Sequence, residues 1–373
     1  MEDIEFNNNL KVLMTTDTVG GVWTYCIELC RSLPQVEFHL FTSGDKMQEA
    51  QLKEVSELKN IRVYETEFKL EWMENPWNDI DNSGEYLLQL ERKIKPNIIH
   101  LNSYSYASLP FKARKIVVAH SDVFTWWNAV QQEMPPADYE EYFKRVYQGL
   151  QSADLVIAPS KAMAESVTDM YGISTSVKVI YNGRSKMLFE KAEKKQTIFS
   201  MGRLWDDAKN ISLLLHAACN INYEIKIAGA VNFETDKLLI ENDNVQYLGK
   251  LSPAEVIEQL SEAAVYVLPA KYEPFGLSVL EAAFSGCALV LGNISSLKEI
   301  WGHAALYIDT DDANDLAEIV NDLMNDAEKL LDYSNRAEMR ANLYSTSIQA
   351  EAYLETYKHL INSDNKILKE AIL

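Results

Sequence analysis

The chain has 373 residues, 47% of them hydrophobic and 24% charged, a globular composition long enough for two domains of ordinary size; collagen-like, coiled-coil and disordered classes are excluded. Its formal charge is −20, divided as −9 over residues 1–183 and −11 over residues 184–373. So acidic a surface argues against nucleic acid or an anionic membrane as partner, and leaves any anionic ligand to a few placed cations.

The opening residues, Met1-Glu2-Asp3-Ile4-Glu5, lack the basic-then-apolar pattern of a signal peptide. No apolar run approaches the ~20 residues of a membrane span. Four scattered cysteines without a C-x-x-C pair fit a reduced, cytoplasmic protein. Cys26 and Cys30 share a helix face but have no histidine partners, so they read as core. Short β-rich runs then alternate with helical patterns. Val12 to Met14 predicts a strand, Gly20-Gly21 a turn, and Val22 to Leu33 a helix. Strands follow at Val36–Phe41, Ile61–Tyr64, Ile98–Leu101, Ile116–Ala119 and Leu155–Ala158. Between the last two, Tyr139, Tyr142, Phe143, Val146 and Leu150 recur at helical spacing. A second block opens with strands at Thr197–Met201, Ile225–Ala228, Val245–Leu248, Val265–Leu268 and Ala288–Leu291. Ser252-Pro253-Ala254-Glu255 and Ser296-Leu297-Lys298-Glu299 read as capping boxes. From about Asp311 onward the pattern is helical. Two blocks of alternating strands and helices imply two doubly wound α/β domains, divided in the polar stretch from Arg184 to Gln196. Open sheets of this kind bind ligands beyond the carboxyl ends of their strands, so two of them face to face make a cleft.

Two segments carry the chemistry. In Glu273-Pro274-Phe275-Gly276-Leu277-Ser278-Val279-Leu280-Glu281, the proline pushes Glu273 out of helical geometry into the loop after a strand. A helix begins near Gly276, and its free amides suit an anionic oxygen. Glu281 lies more than a turn inside that helix. Carboxylates at two depths suit two separated diols, a sugar and a ribose; two solvated charges are the plain alternative. In Met201-Gly202-Arg203-Leu204-Trp205-Asp206-Asp207-Ala208-Lys209, two cations flank the beginning of a helix. An arginine fork and a lysine point charge together neutralise a diphosphate, the plain alternative being a salt bridge to Asp206 or Asp207.

In this order, with the Gly20-Gly21 turn, Ala158-Pro159-Ser160 and Val179-Ile180-Tyr181-Asn182-Gly183, the segments resemble the retaining glycosyltransferases of family 4 (the GT4 group) over nearly the whole chain. Tyr181 departs from the proline common at that place. The resemblance implies the GT-B fold: two Rossmann-like domains facing a cleft, an acceptor-side domain at 1–183, a nucleotide-sugar domain at 184–354, and a C-terminal helix at 355–373 returning to the first domain. It implies that Arg203 and Lys209 hold the diphosphate of the donor, a UDP- or GDP-sugar. Glu281 would then bond the ribose, Glu273 the transferred hexose, and the amides of Phe275, Gly276 and Leu277 the sugar and distal phosphate. Gly20 and Gly21 would approach the phosphates from the other side. His120, ending a predicted strand, resembles the family's active-site histidine beside the reacting carbon, with Asp122 expected on the same side.

Trp126 and Trp127 follow shortly after, and offer aromatic planes to a saccharide or glycoconjugate acceptor, or else are simply core. Asp79-Ile80-Asp81 and Asp309-Thr310-Asp311 look like D-x-D metal motifs but do not follow strands in the right block, so no metal and no tightly bound cofactor is assigned. The absence of G-x-G-x-x-G after the first strand argues against a nicotinamide enzyme. A nucleotide-sugar epimerase of the same fold and a non-catalytic nucleotide-sugar binder are the rival readings.

Overall fold

The computed structural model describes residues 10–189, 191–230 and 242–370, the side chains of 363–370 excepted. The acidic N-terminal residues and the last three residues of the expected C-terminal helix lie outside them. The chain divides into two compact units, one of residues 1–125, 133–183 and 346–373, the other of residues 126–132 and 184–345.

In the first unit the elements run β1 (Leu10–Asp17), α1 (Gly21–Ser32), β2 (Val36–Ser43), α2 (Glu49–Ser56), β3 (Ile61–Tyr64), α3 (Trp77–Ile94), β4 (Ile98–Leu101), β5 (Arg114–Val118), α4 (Val123–Val130), α5 (Glu140–Ser152), β6 (Leu155–Ala158), α6 (Lys161–Tyr171) and β7 (Val177–Val179). The strands pair in parallel in the order β3-β2-β1-β4-β5-β6-β7. The second unit runs β8 (Lys195–Met201), α7 (Ile211–Ala217), β9 (Glu224–Ala228), β10 (Val245–Gly249), α8 (Pro253–Glu262), β11 (Ala263–Leu268), α9 (Leu277–Phe284), β12 (Ala288–Gly292), α10 (Ser295–Trp301), β13 (Leu306–Ile308), α11 (Ala313–Asn325) and α12 (Ala327–Ala341); α13 (Thr346–Glu370) then returns to the first unit. Its sheet, also parallel, has the order β10-β9-β8-β11-β12-β13. Each sheet therefore reverses its winding once, between β1 and β4 in one unit and between β8 and β11 in the other. Such switch points are where open α/β sheets bind ligands.

Parallel sheets covered on both faces need apolar residues on both faces, which is why β11 and β12 are buried along their whole length. In the first unit, Val12, Phe38, Ile98 and Ile116 of the sheet pack with Ile27 of α1 and with Tyr353 and Tyr357 of α13. In the second, Ile198, Ile225, Val265 and Val290 meet Leu214 of α7 and Val320 of α11.

Several local readings need correction. β7 and β13, three residues each, are too short for a periodic signal and were not among the expected strands. The return to the first unit begins at Thr346 rather than 355, and Trp126–Gln132 groups with the second unit. Ser252 does cap α8 in a box with Glu255. Ser296 does not cap: α10 starts one residue before it, after Ile294, and the Ser296 hydroxyl is used elsewhere. The helix expected to start near Asp311 is capped by Asp312.

Candidate active site

The corner after β8 and the corner after β11 flank the second unit's switch point and are stitched together. Lys271 N–H donates to Ala208 O at 2.9 Å, and Asn210 Nδ2 donates to Pro269 O at 3.0 Å. Across this seam Lys209 Nζ lies 2.5 Å from Glu273 Oε2, both side chains largely covered. The structure thus brings together two residues 64 positions apart that the sequence singled out separately.

Arg203 meets the plain alternative: its Nε and Nη2 both donate to Asp206 Oδ2, at 3.1 and 2.6 Å. Asp206 is buried, and its other oxygen accepts from Ala208 N–H and, at 3.1 Å, from the indole N–H of Trp126. Burial pushes the Asp206 carboxyl up, but Arg203 and these hydrogen bonds outweigh it and hold it below the usual range. The guanidinium also lies over Trp205, 5.3 Å from the ring centroid, with half of its side chain exposed. Asp206 orients Arg203 without enclosing it.

Glu273 is held through its backbone, whose carbonyl accepts from Ser296 Oγ at 2.5 Å. Phe275 is buried edge-on against Tyr344. Gly276 caps α9 with φ +88°, a left-handed conformation in which an L side chain is strained, so the turn that opens the helix toward its free amides requires glycine. Leu277 is the first helical residue, and four residues on, Glu281 pairs with Arg184, Nε to Oε1 at 2.8 Å. Arg184, Asp206 and Ser296 were not among the candidates. Asp206 was visible only as a possible salt-bridge partner, and the other two are brought in by the fold from 97 and 23 residues away from Glu281 and Glu273.

The first unit carries the remaining candidates. Gly20 caps α1 at φ +82°, and Gly21 is its first residue; both are exposed. His120, just beyond β5, bonds through Nε2 to Asn102 Oδ1 at 2.8 Å and meets Tyr25 edge-on. Burial pushes its imidazole down to about 3, so it is neutral at ordinary pH. Asp122 does not join it. Its carboxylate accepts from the amides of Phe124 and Thr125 at the start of α4, from Thr125 Oγ1, and from Tyr171 OH at 2.8 Å, and both oxygens are occupied. Trp126, expected beside an acceptor, is committed to Asp206.

The D-x-D strings are structural. Asp79 accepts from Lys69 N–H, Asp81 pairs with Arg145, and Asp311 pairs with Lys271. Among the described residues, no three His, Cys, Asp or Glu side chains are grouped to hold a metal ion, and no helix is long and apolar enough to cross a membrane.

Comparison with known proteins bears on this geometry. The family model for glycosyl transferases group 1 matches residues 185–340, and that for glycosyltransferase family 4 matches residues 19–185. An uncharacterised glycosyltransferase of Methanocaldococcus jannaschii is 22% identical over 86% of this chain and 90% of its own length. The N,N'-diacetylbacillosaminyl-diphospho-undecaprenol α-1,3-N-acetylgalactosaminyltransferase of Campylobacter jejuni is 33% identical, over 32% of each chain. In fold, the chain is similar to a sucrose-phosphate synthase from Thermosynechococcus elongatus, at TM-score 0.80 and 17% identity over 95% of this chain and all of the other.

Proposed function

Because the chain belongs to the family 4 glycosyltransferases and has their GT-B fold, we propose that it moves a hexose from a UDP- or GDP-sugar to a hydroxyl of a saccharide or glycoconjugate, with retention at the anomeric carbon. The observation that carries this reading is the seam at the β8/β11 switch point, where Lys209 and Glu273 meet beside Arg203 and the opening of α9. Lys209, Arg203 and the α9 amides suit a diphosphate leaving group; Glu273 suits the hydroxyls of the sugar, and Glu281 those of the ribose. A glycoconjugate acceptor is supported by the Campylobacter relative, whose name gives it a diphospho-undecaprenol substrate.

In the reaction the bond from the anomeric carbon to the phosphate oxygen breaks, and its electron pair leaves with the nucleoside diphosphate. The acceptor oxygen bonds to the same face of that carbon, and its proton passes to the departing phosphate. Catalysis then rests on positioning and on stabilising the charge that grows on the phosphate. The Asp122 carboxylate, buried and hydrogen-bonded through both oxygens to α4 and Tyr171, argues against it as a nucleophile for double displacement. No tightly bound cofactor enters this scheme. Four free thiols, on Cys26, Cys30, Cys219 and Cys287, support a reduced, cytoplasmic setting.

The test is to incubate the protein with a panel of nucleotide sugars, with and without saccharide acceptors, and to follow free nucleoside diphosphate and the anomeric configuration of the product. Acceptor-dependent release with retention supports the proposal. Donor interconversion without acceptor shows an epimerase, and binding without turnover a silent binder.

A further inference from the structure

β4 ends at Leu101, and the next residue, Asn102, sits at the first unit's switch point between β1 and its neighbour. Its amide N–H bonds Thr15 Oγ1 at 2.9 Å, its Nδ2 donates to the Thr15 carbonyl at 2.6 Å, and its Oδ1 faces His120 Nε2 at 2.8 Å. A backbone carbonyl can only accept. Turning the Asn102 amide over would set oxygen against oxygen at that 2.6 Å contact, so the side-chain orientation is dictated by the main chain of β1. Oδ1 is therefore the atom offered to His120, and it too can only accept. His120 must answer with a proton on Nε2. In a neutral ring that leaves Nδ1 with its lone pair, and Nδ1 has no hydrogen-bond partner among the described residues. The other groups against the ring, Tyr25 of α1 and His100 of β4, are uncharged. Burial pushes the Tyr25 hydroxyl up and the His100 imidazole down, and His100 is held between Tyr25 OH and Tyr357 OH.

We propose that Asn102 is a positioning residue that locks His120 as the neutral Nε2–H tautomer, so that what His120 presents to the transferred sugar is a hydrogen-bond acceptor, Nδ1. An acceptor bonded to a sugar hydroxyl supplies electron density to a ring that becomes positive as the anomeric bond opens; an imidazolium there would oppose it. The inference rests on the transferase reading for its consequence in turnover, but the tautomer is a property of the protein alone.

Its test uses the full chain labelled with 15N-histidine, the His120 signals being assigned by their loss in His120→Gln. Long-range proton–nitrogen correlation of the wild type is expected to show one protonated nitrogen, Nε2, and an unprotonated Nδ1 from pH 8 down to about pH 5. In Asn102→Ala and Asn102→Leu, the second of which fills the space, the ring should lose this preference, and kcat should fall about tenfold while the donor KM changes little. A wild-type ring protonated on Nδ1, or variants that keep both spectrum and kcat, would overturn the inference. Failure of the transferase reading shows separately, as a wild-type protein that transfers no sugar in the donor panel.

Discussion

The two units place their candidate residues beside equivalent switch points but hold them by opposite physics. In the first unit every group around His120 is neutral, and the ring is fixed by the directional hydrogen bond that its Nε2–H donates to Asn102 Oδ1 and by packing on Tyr25. In the second, the cations and carboxylates are matched with one another: Lys209 with Glu273, Arg203 with Asp206, Arg184 with Glu281. Neutral hydrogen bonds in a buried site set orientation and ignore salt. Ion pairs can exchange partners, so a diphosphate or a diol replaces an interaction already made, and the net gain is smaller than the sum of new contacts. The first unit is built to orient and the second to exchange.

Acid should break this comparison most visibly. His100 is buried, and burial lowers its imidazole to about 3, so the unfolded chain binds a proton below about pH 6.5 that the folded chain refuses. The contribution of His100 is therefore full above pH 6.5 and falls as the pH drops, by about 1.4 kcal/mol for each pH unit down toward the folded value. His120, lowered to about 3 by the same burial, adds a second fall of the same sign. Denaturant unfolding between pH 7 and 4.5 checks it. His100→Gln should reduce the slope by about half, leaving the share of His120, even if the variant starts lower; an unchanged slope would mean that His100 is not what the acid titrates.

Next in size are the cations. Lys209→Ala and Arg203→Ala should each weaken nucleoside diphosphate binding by about 1.5–3 kcal/mol, tenfold or more in Kd by calorimetry. Arg203→Ala should also lower stability, because Asp206 is buried and loses its counter-charge. Wild-type affinity in both variants would remove the diphosphate from this corner.

A smaller effect separates the two glutamates. Glu281→Ala should weaken the free nucleotide several-fold, whereas Glu273→Ala should leave the nucleotide nearly unaffected and blur the choice among donor sugars. Reversed effects would exchange the ribose and sugar assignments.

Much of this was legible in the sequence because it is local. β11 and β12 show as unbroken apolar runs, and the Gly276 turn shows as a glycine before an apolar helix. That two cations suit a diphosphate and two carboxylates two diols was legible from the residues. The role of each single residue came only through family resemblance, and of their partners only Asp206, as a salt-bridge alternative for Arg203, was legible. Ser296 looked like a helix cap because Glu299 follows three residues later; tertiary contact with the Glu273 carbonyl overrode that local signal. Asp122 looked like a partner for His120 on the assumption of extended backbone, but the chain turns into α4 there and the carboxylate becomes its cap. Asn102 has no sequence signal, since its role depends on β4 lying against β1.

The smallest predicted effect tests how firmly the second unit holds Arg203. Trp126 precedes the second unit's main segment by almost sixty residues, yet groups with that unit and donates its indole N–H to the carboxylate that orients Arg203. Trp126→Phe keeps an aromatic ring and removes only the donor. Asp206 retains the Ala208 amide on the same oxygen and Arg203 on the other, so the carboxylate should stay in place but less firmly. The expected result is a two- to fivefold rise in the Kd of the nucleoside diphosphate, about 0.5–1 kcal/mol, with stability almost unchanged. Combining Trp126→Phe with Arg203→Ala should then add nothing further to the loss, because the indole acts on the nucleotide only through the arginine. If the two losses were additive, Trp126 would contact the donor or acceptor directly, and the aromatic plane first expected from the sequence would regain its place beside the sugar.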